Sequence, residues 1–357
     1  VTLTGLNLKS NLKLRLLRLC LLVPIVFFTQ FSFLSAQVNS AFGERYAIII
    51  GGIGGQEEYT EKYFSQTSRL FDLLVNKMGY DPDKVSYLFE DTGFDSLNID
   101  YQATAENVRT VFRQAGQTMT KKDQLLVFLV GHGSYDGFWS KFNLVGPDLR
   151  DIDFNLLLSQ LPTKKIILIN TASASGPFIE KLSSKERVII TATKNGFQHY
   201  ETNYAGFFLD ALSTEEADFN KDSRISLKEA FHFSKTSQDR WFEEQRRIRS
   251  EHPMLDDNGD GEGSLHLEKS KDGLWASRVF LTPVSQEIRS SFQKIKTGMS
   301  TKADSLQLQK VALEEEIETL KARKNQMGGS EYTSQLENLL VRLAKINREL
   351  KKKPAPK

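Results

Sequence analysis

Five short segments, residues 46–50, 85–89, 124–130, 165–169 and 187–191, set the strongest limit on what this chain can fold into. Each is built mainly from Val, Ile, Leu, Phe and Tyr, with little alternation of apolar and polar side chains. A strand with one wet face alternates, whereas a strand covered on both faces does not. The segments between them carry helical spacing. Phe64, Leu70, Leu73 and Leu74 share one face over 59–78, and residues 104–117 and 151–161 also read as helices, with Thr104 or Glu106 placed to cap the former. Apolar strands alternating with helices predict a mainly parallel sheet covered on both sides, a three-layer α/β fold over residues 45–283. A long polar and aromatic helix at 226–249 follows the last such unit.

The two ends of the chain depart from this pattern. Residues 1–36 hold four basic groups, Lys9, Lys13, Arg15 and Arg18, and no acid, with an apolar stretch over 19–34. Ser35 and Ala36 complete the plan of a secretory signal peptide at 1–36, so export to a periplasm or the exterior is expected. An uncleaved membrane anchor is the alternative, although about 16 apolar residues are few for a bilayer. The single cysteine, Cys20, lies in this segment, so cleavage leaves no thiol. At the other end, Leu306, Leu313, Leu320 and Met327 recur every seven residues, with Ile317 between them. After Gly328 and Gly329, the residues Tyr332, Leu336, Leu339, Leu343, Ile346 and Leu350 follow at spacings of four and three. This predicts a helical coiled-coil hairpin over 285–353, whose seams meet each other, a second copy or a partner helix.

Charge separates the same regions. Residues 285–357 carry fifteen basic and nine acidic groups, whereas 37–284 carry 28 basic and 36 acidic groups, a net −8. An acidic body of this kind is no nucleic-acid groove, so no nucleic-acid partner is expected.

In parallel α/β sheets, functional groups gather at the carboxyl ends of the strands. The third strand ends in Gly131-His132-Gly133-Ser134, the fourth in Asn170-Thr171-Ala172-Ser173-Ala174-Ser175-Gly176, and the fifth in Thr191-Ala192-Thr193-Lys194-Asn195-Gly196. Glycine beside a histidine leaves bare backbone, so the Gly133 N–H is open to an oxyanion. A turn of small residues after the neighbouring strand presents Ser173 to the same place. His132, Ser173 and Gly133 are therefore the candidate catalytic residues. Gly51-Gly52-Ile53-Gly54-Gly55 lacks the last glycine of a dinucleotide fingerprint, and no organic cofactor is expected.

Taken in order, these segments resemble the legumain-type peptidases of the caspase-like clan, over about residues 45–213. That family shows an apolar strand ending in His-Gly-Ser, matched by His132-Gly133-Ser134. A second strand ends in Glu-Ala-Cys-Glu-Ser-Gly, matched by Thr171-Ala172-Ser173-Ala174-Ser175-Gly176. A third segment is matched by Thr191-Ala192 and then Glu201-Thr202-Asn203-Tyr204-Ala205-Gly206-Phe207-Phe208. The resemblance implies a caspase-like fold with histidine as general acid and base and cysteine as nucleophile. Three departures matter. Ser173 stands where the family has its cysteine. Thr171 stands where it has a glutamate of the specificity pocket, and Thr60 stands where it has an asparagine that orients the histidine. A thiol ionises near pH 8.5, is intrinsically nucleophilic and tolerates a distant base, whereas a serine needs a base in hydrogen-bond contact.

Two acidic loops suggest calcium. Asp218, Asn220, Asp222, Arg224 (through its carbonyl), Ser226 and Glu229 occupy positions 1, 3, 5, 7, 9 and 12 of an EF-hand loop, with Ser223 at position 6 where glycine is usual. Asp256, Asn258 and Asp260 open a second such loop at 256–267, but Leu267 stands at its position 12. Two functions remain open from the residues. One is an exported legumain-like pseudopeptidase, a calcium-stabilised binding or scaffolding domain without its thiol. The other is a weak or repurposed hydrolase using Ser173 with His132.

Overall fold

The apolar segments form the centre of a seven-stranded sheet. The computed structural model describes residues 43–282, 294, 301–322, 324 and 327–351; the expected signal segment with Cys20 lies outside the described residues. The elements belong to one unit, Glu44–Lys357. Strands β1 (Arg45–Gly51), β2 (Val85–Phe89), β3 (Tyr101–Gln102), β4 (Gln124–Val130), β8 (Lys165–Asn170), β9 (Arg187–Thr191) and β10 (Met254–Asp256) lie in the order β3-β2-β1-β4-β8-β9-β10. All neighbours are parallel except β10, which runs antiparallel to β9 and makes the sheet mixed. A second, three-stranded antiparallel sheet of β5 (Gly133–Tyr135), β6 (Ser140–Phe142) and β7 (Leu149–Arg150) starts one residue beyond His132.

Helices cover both faces. On one face, Ala47, Ile49, Leu126, Phe128, Ile167 and Val188 of the strands pack with α1 (Glu57–Asp72), α5 (Tyr204–Ala211) and α6 (Leu227–Glu244). On the other, Ile48, Ile50, Val127, Leu168 and Ile189 pack with α2 (Ala105–Thr118), α3 (Asp151–Ser159) and α4 (Phe178–Leu182). Successive residues of each central strand thus enter different layers, which is why no alternation was needed in the sequence. Each fully buried Ile, Leu or Phe stabilises the fold by about 1.5–3 kcal/mol. The first helix ends earlier than its apolar pattern suggested, because Leu73–Lys77 widens into a π-type turn. Likewise α6 stops at Glu244 rather than Arg249, where Arg246 turns to a φ of 51°.

Two further helices, α7 (Lys302–Ala322) and α8 (Gly329–Lys351), pack against one another. Leu313, Ile317 and Leu320 of α7 and Ile346 of α8 are buried, and Leu336, Leu339 and Leu343 are half-buried. Arg342 Nη1 lies 3.4 Å from Glu316 Oε2 across the pair. Among the described residues no helix is long and apolar enough to cross a membrane.

Candidate functional site

The ends of β4, β8 and β9 meet around His132. Its ring stands edge-on to two tyrosines of α1, with centroids 4.9 Å from Tyr59 and 5.4 Å from Tyr63. Tyr59 and Tyr63 are one helical turn apart, so α1 presents both to the same point. His132 Nδ1 lies 3.1 Å from the Tyr63 hydroxyl and 3.2 Å from Glu201 Oε2. The hydroxyl donates its one proton to the same Glu201 oxygen at 2.6 Å. Tyr63 can then only accept from the ring, so Nδ1 carries the proton and Nε2 is left as the basic nitrogen. Lys62 Nζ completes the group, donating to Glu201 Oε1 at 2.8 Å, the Thr202 carbonyl at 2.8 Å and Asn203 Oδ1 at 3.3 Å.

The electrostatics follow from these contacts. Burial alone raises the Glu201 carboxyl, but the bond from His132, the Lys62 charge and the Tyr63 hydroxyl together hold it below its ordinary value. Burial, and then the Glu201 charge, push the Tyr63 phenol far up, so it stays protonated. A neutral phenol and an ionised carboxylate, both accepting from Nδ1, thus fix the imidazole, as the third member of a catalytic triad fixes its base.

Ser173 sits opposite in the turn after β8 and is 2% exposed. The Gly133 N–H donates to its Oγ at 3.1 Å, and the hydroxyl donates to the Gly133 carbonyl at 3.0 Å. A Cβ at position 133 would overlap the Ser173 carbonyl, and one at 131 would press on the Gly52 backbone and Phe142. Both glycines beside His132 are therefore required by close packing, whatever else the Gly133 N–H does. Ala174 has a φ of 53°, a conformation costly for a residue with a Cβ. It is held there by its N–H to the Gln198 carbonyl at 2.8 Å and by the Ser140 hydroxyl to its own carbonyl at 2.6 Å.

The structure thus brings Ser173 to Gly133, as the sequence suggested, but among the described residues no hydrogen bond joins Ser173 to His132. Thr60 does not orient the histidine. Its hydroxyl donates to Glu90 Oε1 at 2.7 Å, and the orienting groups are Tyr63 and Glu201. Thr171 is buried, with its hydroxyl donating to the Leu129 carbonyl at 2.7 Å, so it does not line a pocket. Lys62, Tyr63 and Glu201 are site residues that the sequence does not announce, although Thr60 and the 201–208 segment lie beside them. Only the spacing along α1 decides that Tyr63, and not Thr60, faces the ring.

The loop between α5 and α6 closes on itself. Asp218 accepts the N–H groups of Asp222 at 3.1 Å and Ser223 at 2.9 Å, Asn220 accepts that of Asp222 at 2.8 Å, and Asp222 accepts that of Arg224 at 2.8 Å. Glu229 returns to the Asn220 N–H at 3.2 Å and the Ser226 N–H at 2.9 Å. Ser223 takes a φ of 67°, the conformation glycine usually supplies at this position. Burial raises the carboxyls of Asp222 and Glu229, and neighbouring negative charge raises them further. This all-oxygen donor set suits a hard cation. In the second loop, Asp256, Asn258 and Asp260 accept the N–H groups of Gly259, Asp260 and Glu262, a run of Asx turns. Among the described residues, no three His, Cys, Asp or Glu side chains are grouped so as to share a metal ion.

No family model and no curated protein matches this chain. Among solved structures, it is similar to protein GSU0716 from Geobacter sulfurreducens at 11% identity and a TM-score of 0.41, over 61% of this chain and 94% of that one.

Proposed function

We propose that this chain is an exported, legumain-like pseudopeptidase, a caspase-like domain that binds a peptide or protein at its strand ends without cleaving it. One observation carries this: both hydrogen bonds of the Ser173 hydroxyl go to the Gly133 backbone, and neither goes to the imidazole. An alcohol so placed has no base to take its proton at attack, and the Gly133 N–H is already engaged. The loop at 218–229 is read as a calcium site, in which Asp218, Asn220, Asp222 and Glu229 would supply oxygen ligands and bound calcium would cross-link the start of α6 to the loop. The hairpin of α7 and α8 is read as a coiled-coil contact for a second copy or a partner helix.

A second reading has its own support. The Glu201–His132 pair is assembled as a base would need it, and Ser173 lies in a strained turn beside a backbone donor. On that reading His132 Nε2 takes the proton of Ser173 once a ligand shifts the hydroxyl away from Gly133. A serine-directed fluorophosphonate probe separates the two. Purified protein and Ser173→Ala are expected to label equally, at background. Labelling of the parent that Ser173→Ala abolishes would replace the pseudopeptidase with the hydrolase.

A further inference from the structure

Glu251 and His252 are neighbours in the short loop between α6 and β10, and they grip opposite halves of the site. Glu251, 1% exposed, accepts the Asn203 N–H with its two oxygens at 2.9 and 3.1 Å and the Tyr204 N–H at 3.3 Å. These groups lie at the start of α5, a helix whose own Asn203 supplies no side-chain cap. A carboxylate from elsewhere in the chain therefore satisfies the helix start and meets its positive end. The residues just before, 201–203, are held from the other side by the three bonds of Lys62. Between the two clamps sits Glu201, the carboxylate that orients His132.

His252 reaches the Ser173 half. Its Nδ1 lies 2.6 Å from Gln198 Nε2, and the Gln198 main-chain carbonyl accepts the Ala174 N–H. The amide has one possible orientation, because Gln198 Oε1 accepts the Lys194 N–H at 2.7 Å. Nε2 must then donate to His252, and Nδ1 must be unprotonated. A proton on Nδ1 places two donors face to face and breaks this bond.

We propose that Glu251 and His252 form a proton-operated brace, which holds the Glu201–His132 half and the Ser173–Ala174 turn in place and releases both on acidification. Burial raises the Glu251 carboxyl to about 7, so it loses its charge within the physiological range. Burial lowers the His252 imidazole, and the Arg249, Lys194 and Lys235 charges lower it further, so its bond to Gln198 outlasts the charge on Glu251 as pH falls. The groups facing Glu251 are Lys62 from α1, Glu201 from the preceding loop, Tyr204 from α5 and Arg249 from its own loop. Acid weakens the grip in steps. Glu251 first loses its charge against the α5 terminus and Lys62, and His252 then loses Gln198. Both residues are positioning residues, and the inference rests on His132 and Ser173 being the site.

The test is a pH titration of the 15N-labelled full chain by NMR, with no substrate present. The Asn203 and Tyr204 amides are expected to move with a midpoint near 7, and the Gln198 side-chain amide with a lower one. The Ala174 amide and the His132 ring should report both steps. Glu251→Gln should remove the first step and His252→Gln the second, each leaving the other in place. Asn203 and Tyr204 amides that move only in the ordinary carboxylate range would overturn the brace. So would an Ala174 amide and a His132 ring that titrate identically in the parent and in His252→Gln. The parent titration alone decides the first point if Glu251→Gln does not fold. Fluorophosphonate labelling reports separately on the peptidase-like reading, so the two can fail independently.

Discussion

Single residues carry most of the chemistry here: Tyr63 and Glu201 hold one nitrogen of the His132 ring, and the Gly133 backbone takes both hydrogen bonds of the Ser173 hydroxyl. His132 between glycines and Ser173 in a turn of small residues were visible because small residues at strand ends are themselves a signal. Tyr63 was not, since its role depends on which turn of α1 faces β4, a matter of helical phase and not of composition, and Glu201 was not, since it reaches the ring from the loop before α5. Ser223 is an intermediate case: the twelve-residue spacing demanded a positive φ at its position, and the chain adopts one, 67°, without glycine. That conformation costs a residue with a Cβ about 1 kcal/mol, which the hydrogen bonds within the loop offset. On the calcium reading, calcium at a hundred times its dissociation constant should stabilise the fold by about 2.7 kcal/mol. The melting temperature should rise in millimolar calcium, fall back with chelator and not respond in Asp218→Asn. A melting temperature of the parent that ignores calcium would remove the metal from the proposal.

At the scale of elements, the five apolar segments became the five central parallel strands because each is buried on both faces. The short elements were hidden. β10 is three residues long, ends in Asp256 and pairs antiparallel at the sheet edge, so it has neither the length nor the pattern of its neighbours. The sheet of β5 to β7 is built from segments of two and three residues, too brief for any periodicity to register. It nevertheless matters to the site, since Ser140 in β6 holds the strained Ala174. The central strands should dominate stability accordingly. Phe128 in β4 is wholly buried and its ring packs 6.0 Å from that of Phe208 in α5. Phe128→Ala should cost about 3–5 kcal/mol through lost burial and an unfilled cavity. Urea unfolding followed by circular dichroism would read this as a lower midpoint at unchanged slope, and a loss below about 1 kcal/mol would show that β4 is not the packed centre.

Across the whole molecule, the acidic body buries carboxyl groups that lack a full counter-charge, and this sets how stability must vary with pH. Burial raises Glu251 from 4.5 to about 7 and Asp272 from 3.8 to about 7, the latter also pressed by Asp257 and Asp256. Between those limits the folded chain holds protons that the unfolded chain has released. Stability from these two groups is therefore fully present below the unfolded values and is lost as pH rises through those values toward 7, by several kcal/mol in all. Glu201 works in the opposite sense: its folded value is lowered, so its contribution is present above 4.5 and lost only as pH falls further. Together they place the most stable range for these groups near pH 5, on the acid side of neutrality. The urea midpoint of the parent should fall between pH 5 and pH 8, and Glu251→Gln combined with Asp272→Asn should flatten that fall. A parent midpoint that is level or rising over the interval would mean that neither carboxyl is buried as described. The same fall would set stability against order in the brace, since acid that favours the folded chain also loosens the grip on Asn203 and Gln198.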